Sequence, residues 1–399
     1  MRIVFLTSKM NFSSSGGSVE ELDIIIRTLQ KFGNDVVVVT AFSKNNQIPH
    51  NLPYKIVEEN ISATDLLGIQ LAAIKLLKKY ETQADFFHID GHLFLYGAGI
   101  YRRLKGSVPV AALFNSYLAG LPDNLITSFA YPTDGLIGKI KKKIRYLAER
   151  YLGMWLAKSI DLCAFVSPPL QKVYENFGLR AKRHMVIGDL IDFDSLKKEN
   201  NIFCGCYSER KSQDGLIKIL FSSRMIRGKG FDLLLDGFSL VKDKHKFRLI
   251  IGGSGPDEHF VVERIKKLSL EPYVEIPGWV AKEKLFDYYR QADIFAQVGW
   301  KPEGTSISLL YAMLFGIPSI LPRGGGLEWQ AGNCAIYVNN GNPEELASAI
   351  ELLGNDESLR KKLSDECYNR IGREQFNCDK MVGYLFNEIE KINKRSKIT

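Results

Sequence analysis

Two basic residues in the second half of the chain lie in a loop that could hold a strongly anionic ligand. Arg224 and Lys229 belong to SSRMIRGKGFDLLLDGF, directly after an apolar strand pattern, and Gly228 and Gly230 flank the lysine. A glycine-flanked loop can close over a ligand and present both cations to it. Preorganised cations stabilise the negative charge that develops on a leaving group such as a diphosphate. The pair therefore predicts an anion site, although either residue alone is compatible with an ordinary surface charge.

A second candidate site occupies the stretch from Asp293 to Glu328, where the pattern reads strand, acidic loop, helix and strand. Thr305, Ser306 and Ser308 suit the start of the helix because their hydroxyls can cap free backbone N–H groups. Such a helix end attracts phosphate through those N–H groups and the helix dipole. Glu303 falls on the same rim, where its carboxylate would accept hydrogen bonds from sugar hydroxyls. The alternative, a solvated loop acid beside an ordinary helix cap, stays open on this stretch alone.

Polar residues also follow two apolar strand patterns in the first half of the chain. Gly16 and Gly17 precede the first helix pattern, and His88, Asp90 and His92 surround the end of the strand pattern DFFHID. Open α/β sheets bind ligands at the carboxyl ends of their strands, and glycine lets backbone N–H groups approach a phosphate or a sugar. A flexible turn and hydrogen-bonded structural histidines are the alternatives.

The elements that would position these residues alternate along the chain as strands and helices. They do so on both sides of KKENNIFCGCYSERKSQDG, a polar segment that lacks periodicity. Such alternation predicts parallel sheets covered by helices, and 399 residues exceed the length of one ordinary core. We therefore predict an α/β protein with two doubly wound, Rossmann-like domains at 1–196 and 216–378, a linker at 197–215, and a C-terminal helix with a basic tail at 379–399.

The composition restricts the class of protein and its partners. The 53 Lys and Arg residues exceed the 45 Asp and Glu residues, and the net charge of +8 favours anionic ligands or an anionic membrane surface. Nucleic-acid binding has weak support because no run of four basic residues occurs. The six cysteines show no paired CxxC spacing, so we expect reduced thiols, a cytosolic location and no structural metal site. The N-terminal apolar run is too short for a signal peptide, and no run approaches the ~20 apolar residues of a membrane helix.

The segment Lys139–Ser159 combines basic residues with apolar residues at helical spacing. The apolar positions are Ile140, Ile144, Leu147, Tyr151, Trp155 and Leu156. Two interpretations stay open: a basic amphipathic helix that lies on anionic lipid headgroups, and a packed surface helix with a solvated basic edge.

Taken together, these motifs resemble the retaining, nucleotide-sugar-dependent glycosyltransferases of family 4, which have the GT-B fold of two Rossmann-like domains facing across a cleft. The resemblance extends over nearly the whole chain. It rests on Gly16-Gly17, SSRMIRGKGFDLLLDGF, IIGGSGPDE, PGWV at 277–280, EGTSISLLYAMLFGIPSI and DFFHIDG. It implies an acceptor-side first domain, a donor domain, and a last helix that crosses back to the first domain.

The activity implied by the resemblance is transfer of a sugar from a nucleoside diphosphate sugar to a hydroxyl acceptor, in the assembly of a surface polysaccharide or another glycoconjugate. The expected acceptor is a glycan, a lipid-linked molecule or a small molecule. We expect neither a metal nor another cofactor, because the two cations of the glycine-flanked loop would do the work usually given to magnesium. The expected location is the cytoplasm, with a peripheral position on the inner face of the membrane as a further expectation.

The resemblance also assigns roles to individual residues. Arg224 and Lys229 match the basic pair that holds the donor diphosphate, and Glu303 matches the first acid of the family's Glu-x7-Glu motif, which contacts the donor sugar. Gly17 matches the loop near the donor phosphate, and Val280 falls where the backbone contacts the nucleobase. The expected catalytic residues are Arg224, Lys229, Glu303, Asp90 and His92, and the expected donor-binding residues are Gly16, Gly17, Val280, Gly304, Thr305, Ser306, Ile307 and Tyr311.

Three departures from the family pattern leave other functions open. Tyr311 stands where the family has its second glutamate, which binds the ribose hydroxyls. Asp90 stands at the second histidine of a His-x-His segment, where His92 is a candidate replacement, and an Asn-Gly-hydrophobic-Asp signature is altered to GDLIDFD. The alternatives are a non-catalytic relative that binds a nucleotide sugar or glycan beside an active enzyme, and a nucleotide-sugar 2-epimerase.

Overall fold

Two compact units make up the described part of the chain. The computed structural model describes residues 1–13, 17–118, 136–207, 214–226, 228–300 and 302–396. The first unit contains the described residues up to Ile191 and those from Glu374 onward, and the second unit runs from Asp192 to Arg373. Each unit is built on its own parallel sheet, so the predicted α/β class with two doubly wound sheets is confirmed.

The first unit is a parallel sheet covered by helices. Its strands are β1 (Arg2–Thr7), β2 (Asp35–Thr40), β3 (Lys55–Glu58), β4 (Phe86–Asp90), β5 (Val110–Phe114), β6 (Leu162–Phe165) and β7 (His184–Val186). They pair in the order β3-β2-β1-β4-β5-β6-β7, and every pair is parallel. The helices up to Phe177 are α1 (Gly17–Lys31), α2 (Leu66–Tyr80), α3 (Gly91–Arg103), α4 (Leu136–Ala148), α5 (Met154–Ala157) and α6 (Pro168–Phe177), with a π-helical segment, Glu149–Gly153, between α4 and α5. The middle strands are continuous apolar runs because both faces of a parallel sheet are buried.

The second unit repeats this architecture. Its strands are β8 (Ile217–Ser222), β9 (Phe247–Gly252), β10 (Val274–Gly278), β11 (Ile294–Ala296), β12 (Ser319–Pro322) and β13 (Ala335–Val338). They pair in the order β10-β9-β8-β11-β12-β13, again all in parallel. The helices are α7 (Phe193–Glu199), α8 (Phe231–Leu240), α9 (Glu258–Lys267), α10 (Lys282–Gln291), α11 (Ile307–Leu314), α12 (Gly325–Ala331), α13 (Pro343–Asn355) and α14 (Glu357–Ile371). A core of buried aliphatic and aromatic residues from β8, β9, α8 and α13 holds the sheet and these helices together.

The last helix, α15 (Cys378–Ser396), packs within the first unit. Phe386 lies 5.9 Å from the ring of Phe32, just after α1. Glu388 accepts from Arg183 over 2.9 Å at the start of β7. The helix is therefore held at two places on the first unit, by an aromatic contact and by an ion pair.

The polar segment at 197–215 begins inside α7, and its residues Cys206 and Tyr207 contact other parts of the second unit. The Tyr207 hydroxyl donates to the Asp293 carbonyl over 2.7 Å, and Cys206 Sγ lies 3.0 Å from the Tyr368 hydroxyl. The predicted domain boundaries, and the assignment of acceptor and donor roles to the two units, stay predictions. Among the described residues, no helix combines the length and the apolar character that a membrane crossing requires.

Candidate active site

The carboxyl edge of the second sheet brings two of the predicted residues into contact. Lys229 lies in the loop between β8 and α8, and Glu303 lies in the loop between β11 and α11. Since β8 and β11 are neighbouring parallel strands, the loops that follow them meet at one edge. Lys229 Nζ donates to Glu303 Oε1 over 2.7 Å, and the two side chains remain 31% and 21% exposed. The structure therefore forms an ion pair that a ligand can reach.

The second oxygen of Glu303 is held by a residue that sequence reasoning missed. Gln297, at the end of β11, donates from Nε2 to Glu303 Oε2 over 3.0 Å. Gln297 is 5% exposed, and its buried Oε1 has no hydrogen-bond partner among the described residues. Because Lys229 and Gln297 each hold one oxygen, the Glu303 carboxylate has a defined orientation. A polar residue within an otherwise apolar strand run was the signal that could have identified Gln297.

The start of α11 is held by a second buried amide. Ser306 is the N-cap of the helix, and its Oγ accepts from the Leu309 N–H over 3.4 Å, as its residue type predicts. Gln330, from α12, accepts from the Ser306 N–H over 2.8 Å and donates to the Ser306 carbonyl over 3.0 Å. Thr305 Oγ1 is buried and has no partner among the described residues. Side-chain hydrogen bonds therefore hold this helix end in place.

Close backbone approach explains the glycine that follows Lys229. Gly230 has a φ of +88°, and an added Cβ would lie 1.6 Å from the Val298 carbonyl oxygen. The Trp300 N–H donates to the Gly228 carbonyl over 3.1 Å, and Trp300 Nε1 donates to Asp232 Oδ2 over 2.9 Å. The Lys229 loop is thereby fastened to the loop that carries Glu303.

Glycine is equally required on the other side of Glu303. An added Cβ at Gly326 would lie 1.5 Å from the Gly304 carbonyl oxygen. The Gly326 N–H donates to the Glu303 carbonyl over 3.2 Å. The start of α12 therefore supports the backbone of the Glu303–Gly304 turn.

Three other predicted residues of the second unit occupy different environments. Arg224 follows β8 and is exposed, and its side chain forms no ion pair within the part of the chain that the structure describes. Val280 follows β10 and is half-buried, and Ile307 is half-buried at the first position of α11. Arg224 is thus an exposed cation on the same strand end as the Lys229 loop.

Tyr311 is a core residue. It is 5% exposed, and its ring packs edge-on against Phe286 at 5.1 Å and against Tyr289 at 5.8 Å, measured between ring centroids. Phe315 extends this aromatic cluster, with its ring 6.0 Å from that of Tyr289. An aromatic side chain at position 311 therefore packs α11 against α10. A carboxylate at this buried position would have to lose its hydration, which costs free energy.

The carboxyl edge of the first sheet is acidic. Asp90, at the end of β4, accepts from the Thr7 hydroxyl over 2.7 Å and from the Ser8 N–H over 3.2 Å. Glu21, in α1, is 2% exposed, and its Oε1 has no hydrogen-bond partner among the described residues. Burial, together with repulsion from Asp189 and Asp90, raises the pKa of Glu21 well above its ordinary value. Sequence reasoning missed Glu21 because nothing in a helical pattern shows which polar residue faces a sheet edge.

The histidines and glycines predicted in the first unit differ in their exposure. His92 is exposed on α3, whereas His88 is buried and stacks on Phe5 at 4.4 Å. Burial lowers the pKa of His88 to about 3, so this histidine is neutral near neutral pH. Gly17 begins α1, and the predicted donor-binding Gly16 lies outside the described residues.

Comparison with known proteins identifies a similar family and similar folds. Residues 208–370 match the family described as glycosyl transferases group 1. The mannosylfructose-phosphate synthase of Agrobacterium fabrum is 25% identical over 305 residues, which cover 73% of this chain and 65% of that protein. The amylovoran biosynthesis glycosyltransferase AmsD of Erwinia amylovora is 29% identical over 208 residues, which cover 49% of this chain and 54% of that protein. The chain thus spans less than two thirds of the length of these curated relatives.

Two solved structures are similar over nearly the whole chain. The HepE protein of Anabaena, in complex with UDP and glucose, superposes with a TM-score of 0.71 at 16% identity, covering 98% of this chain and 100% of that chain. The sucrose-phosphate synthase of Thermosynechococcus elongatus superposes with a TM-score of 0.74 at 15% identity, with the same coverage. At these identities the likeness concerns the fold, which is that of GT-B glycosyltransferases.

Proposed function

We propose that this chain, whose residues 208–370 match the family described as glycosyl transferases group 1, is a retaining glycosyltransferase that moves a sugar from a nucleoside diphosphate sugar to a hydroxyl acceptor. The observation that carries the proposal is the Lys229–Glu303 ion pair at the carboxyl edge of the second sheet. A cation and a carboxylate in contact match a ligand that has phosphates on one side and sugar hydroxyls on the other.

In the proposed reaction, the bond between the anomeric carbon and the diphosphate oxygen breaks, and the electron pair leaves with the oxygen. Lys229 and Arg224 would take the growing negative charge, and the N-terminus of α11 would add its free N–H groups. Glu303, held by Gln297, would accept hydrogen bonds from the sugar hydroxyls. The acceptor hydroxyl would attack from the same face, and its proton would pass to the departing phosphate.

The scheme requires no protein nucleophile and, as part of the proposal, no metal ion. The presence of two cations, Arg224 and Lys229, on one loop supports metal independence, because they can neutralise a diphosphate without a bound metal. Nucleotide release that is unchanged by EDTA is the expected result. A rate that falls on chelation and returns with Mg²⁺ would contradict metal independence.

We propose a nucleotide-sugar donor and a role in surface polysaccharide or glycoconjugate assembly. The structure of HepE with UDP and glucose supports the nucleotide-sugar donor. The name of the amylovoran enzyme supports the role in polysaccharide assembly. The acceptor would be a glycan, a lipid-linked molecule or a small molecule with a free hydroxyl. We place the enzyme in the cytoplasm, peripheral to the inner face of the membrane.

The test is Lys229→Ala, measured by ligand-detected NMR against UDP-, GDP-, ADP- and dTDP-sugars and then by nucleotide release with the best binder. The substitution removes the positive charge that would stabilise the diphosphate, so turnover should fall by at least about a hundredfold. Lys246→Ala is the matched control, since Lys246 forms a 2.8 Å ion pair with Asp243 elsewhere in the second unit. Near-normal release by Lys229→Ala would remove the proposed diphosphate role.

A non-catalytic relative that binds a nucleotide sugar or glycan is the second candidate. The burial of Tyr311 in an aromatic cluster favours it, because the side chain at this position is committed to packing. Donor binding without any nucleotide release, in the presence of a broad acceptor panel, would support this candidate. An epimerised sugar product formed without an acceptor would instead indicate a 2-epimerase.

A further inference from the structure

A row of apolar side chains along α4 and the segment after it is exposed to solvent. The exposed row consists of Ile140 (52% exposed), Ile144 (63%), Leu147 (43%), Tyr151 (69%) and Trp155 (54%). Its members are spaced by three or four residues, so they lie on one face of the helical segment. Monomeric proteins rarely expose large apolar side chains in a contiguous group unless another molecule binds there.

The opposite face already packs on the first unit. Glu149, Met154 and Leu156 are buried, and an added Cβ at Gly153 would lie 2.6 Å from the Tyr96 ring. The Tyr146 ring lies 5.5 Å from that of Phe177 in α6. The segment is therefore anchored through these residues, and the exposed row is not needed to hold it in place.

Basic residues accompany the exposed row. Lys139, Lys141 and Lys143 are exposed, and α4 contains no Asp or Glu. Glu149, the acid that directly follows α4, is buried and accepts from Arg145 over 3.1 Å, so its charge is paired. The guanidinium of Arg103 lies 3.5 Å from the Trp155 ring centroid, which adds a cation at the end of the row.

We infer that the exposed row docks on an anionic lipid bilayer, with α4 lying in the interface and its lysines at the headgroups. Apolar side chains flanked by lysines, with Tyr and Trp at one end, fit the boundary between headgroups and acyl chains. The 13 residues of α4 extend about 20 Å, too short for a span. The inference deepens the proposed position at a membrane and does not depend on the transfer reaction.

The test is co-sedimentation of the full chain with vesicles of phosphatidylcholine alone and with vesicles that also contain phosphatidylglycerol. Binding to the anionic vesicles is expected, with weakening at high salt, because the lysine contribution is screened. Ile144→Glu should weaken binding at least about tenfold by placing a charge in the apolar contact. Leu71→Glu is the matched control, since Leu71 is 50% exposed on α2 of the same unit and lies outside the row.

Two further measurements make the outcome decisive. Trp155 should give a blue shift in fluorescence on vesicle addition, which Trp155→Phe removes. Binding that is absent from both vesicle types, equal on both, or unchanged in Ile144→Glu would overturn the inference. A wild-type dimer that Ile144→Glu converts to a monomer, without any vesicle binding, would assign the row to a second copy of this chain.

Discussion

The two sheets end in edges of opposite chemistry, although the two units share one architecture. The edge of the second sheet joins Lys229 to Glu303, and Arg224 adds an exposed cation. The edge of the first sheet carries Asp90 and the buried Glu21. Cations are suited to phosphates, and carboxylates are suited to hydroxyls. The fold provides a carboxyl edge in each unit. The loop residues at that edge determine whether it suits phosphates or hydroxyls.

The supporting contacts differ as strongly as the charges. In the second unit both Glu303 oxygens have donors, and two glycines allow neighbouring loops to touch. In the first unit the Thr7 hydroxyl and the Ser8 N–H both donate to one oxygen of Asp90, and Glu21 Oε1 has no hydrogen-bond partner within the described ranges of the chain. The edge of the second sheet is thus preorganised, whereas the edge of the first sheet retains a carboxyl oxygen that can accept a further hydrogen bond.

The largest effect is expected for Gly230→Ala. The new methyl group would overlap the Val298 carbonyl oxygen, so the Lys229 loop must move away from Glu303. We expect near-complete loss of donor binding and a decrease of about 1–3 kcal/mol in the free energy of unfolding, measured by urea denaturation. Gly228→Ala is the control, because its φ of +97° is equally strained while nothing lies within 4 Å of the added methyl. Equal effects of the two substitutions would show that the close approach is unimportant.

A smaller effect is expected for Gln297→Leu. Removal of the amide leaves Glu303 Oε2 without its donor, so the carboxylate loses its orientation but keeps the Lys229 contact. Turnover should fall about tenfold, which corresponds to about 1.4 kcal/mol of transition-state stabilisation. The urea midpoint should change little, because leucine fills the buried position of Gln297 and Glu303 stays in contact with water. Gln297→Asn should recover part of the loss if a donor at this position is what matters. An unchanged kcat in Gln297→Leu would reject the positioning role.

The smallest effect is expected for Glu21→Gln, and it concerns stability and its pH dependence. The folded protein raises the pKa of Glu21, so it favours the protonated form, and stability is lost as pH rises through the folded pKa. Glutamine at position 21 does not ionise, so the variant lacks this loss of stability at higher pH. Glu21→Gln should therefore exceed the wild type by about 1 kcal/mol above neutral pH, and the difference should shrink below the unfolded pKa of about 4.3. Urea unfolding at several pH values measures this, and a pH-independent difference would contradict it.

Periodicity predicted the fold class well, because buried parallel strands must be apolar on both faces and their covering helices must be amphipathic. Lys229, Glu303 and Ser306 could also be predicted, because a short motif beside a strand or a helix start carries its own chemical signal. The contacts of Gln297 and Gln330 could not be predicted, since each amide holds a residue that only folding brings close. Tyr311 shows the same limit, as its partners Phe286 and Tyr289 belong to a different helix.

What the sequence determined by itself was local: which segments form strands and helices, which residues share a helical face, and which loops carry charge. Only the tertiary structure decided which partners these residues meet. The apolar positions of α4 illustrate the difference. Their spacing placed them on one face, but packing exposed Ile144 and Trp155 and buried Leu156. Side-chain period follows from backbone geometry, whereas burial depends on which surface another element covers.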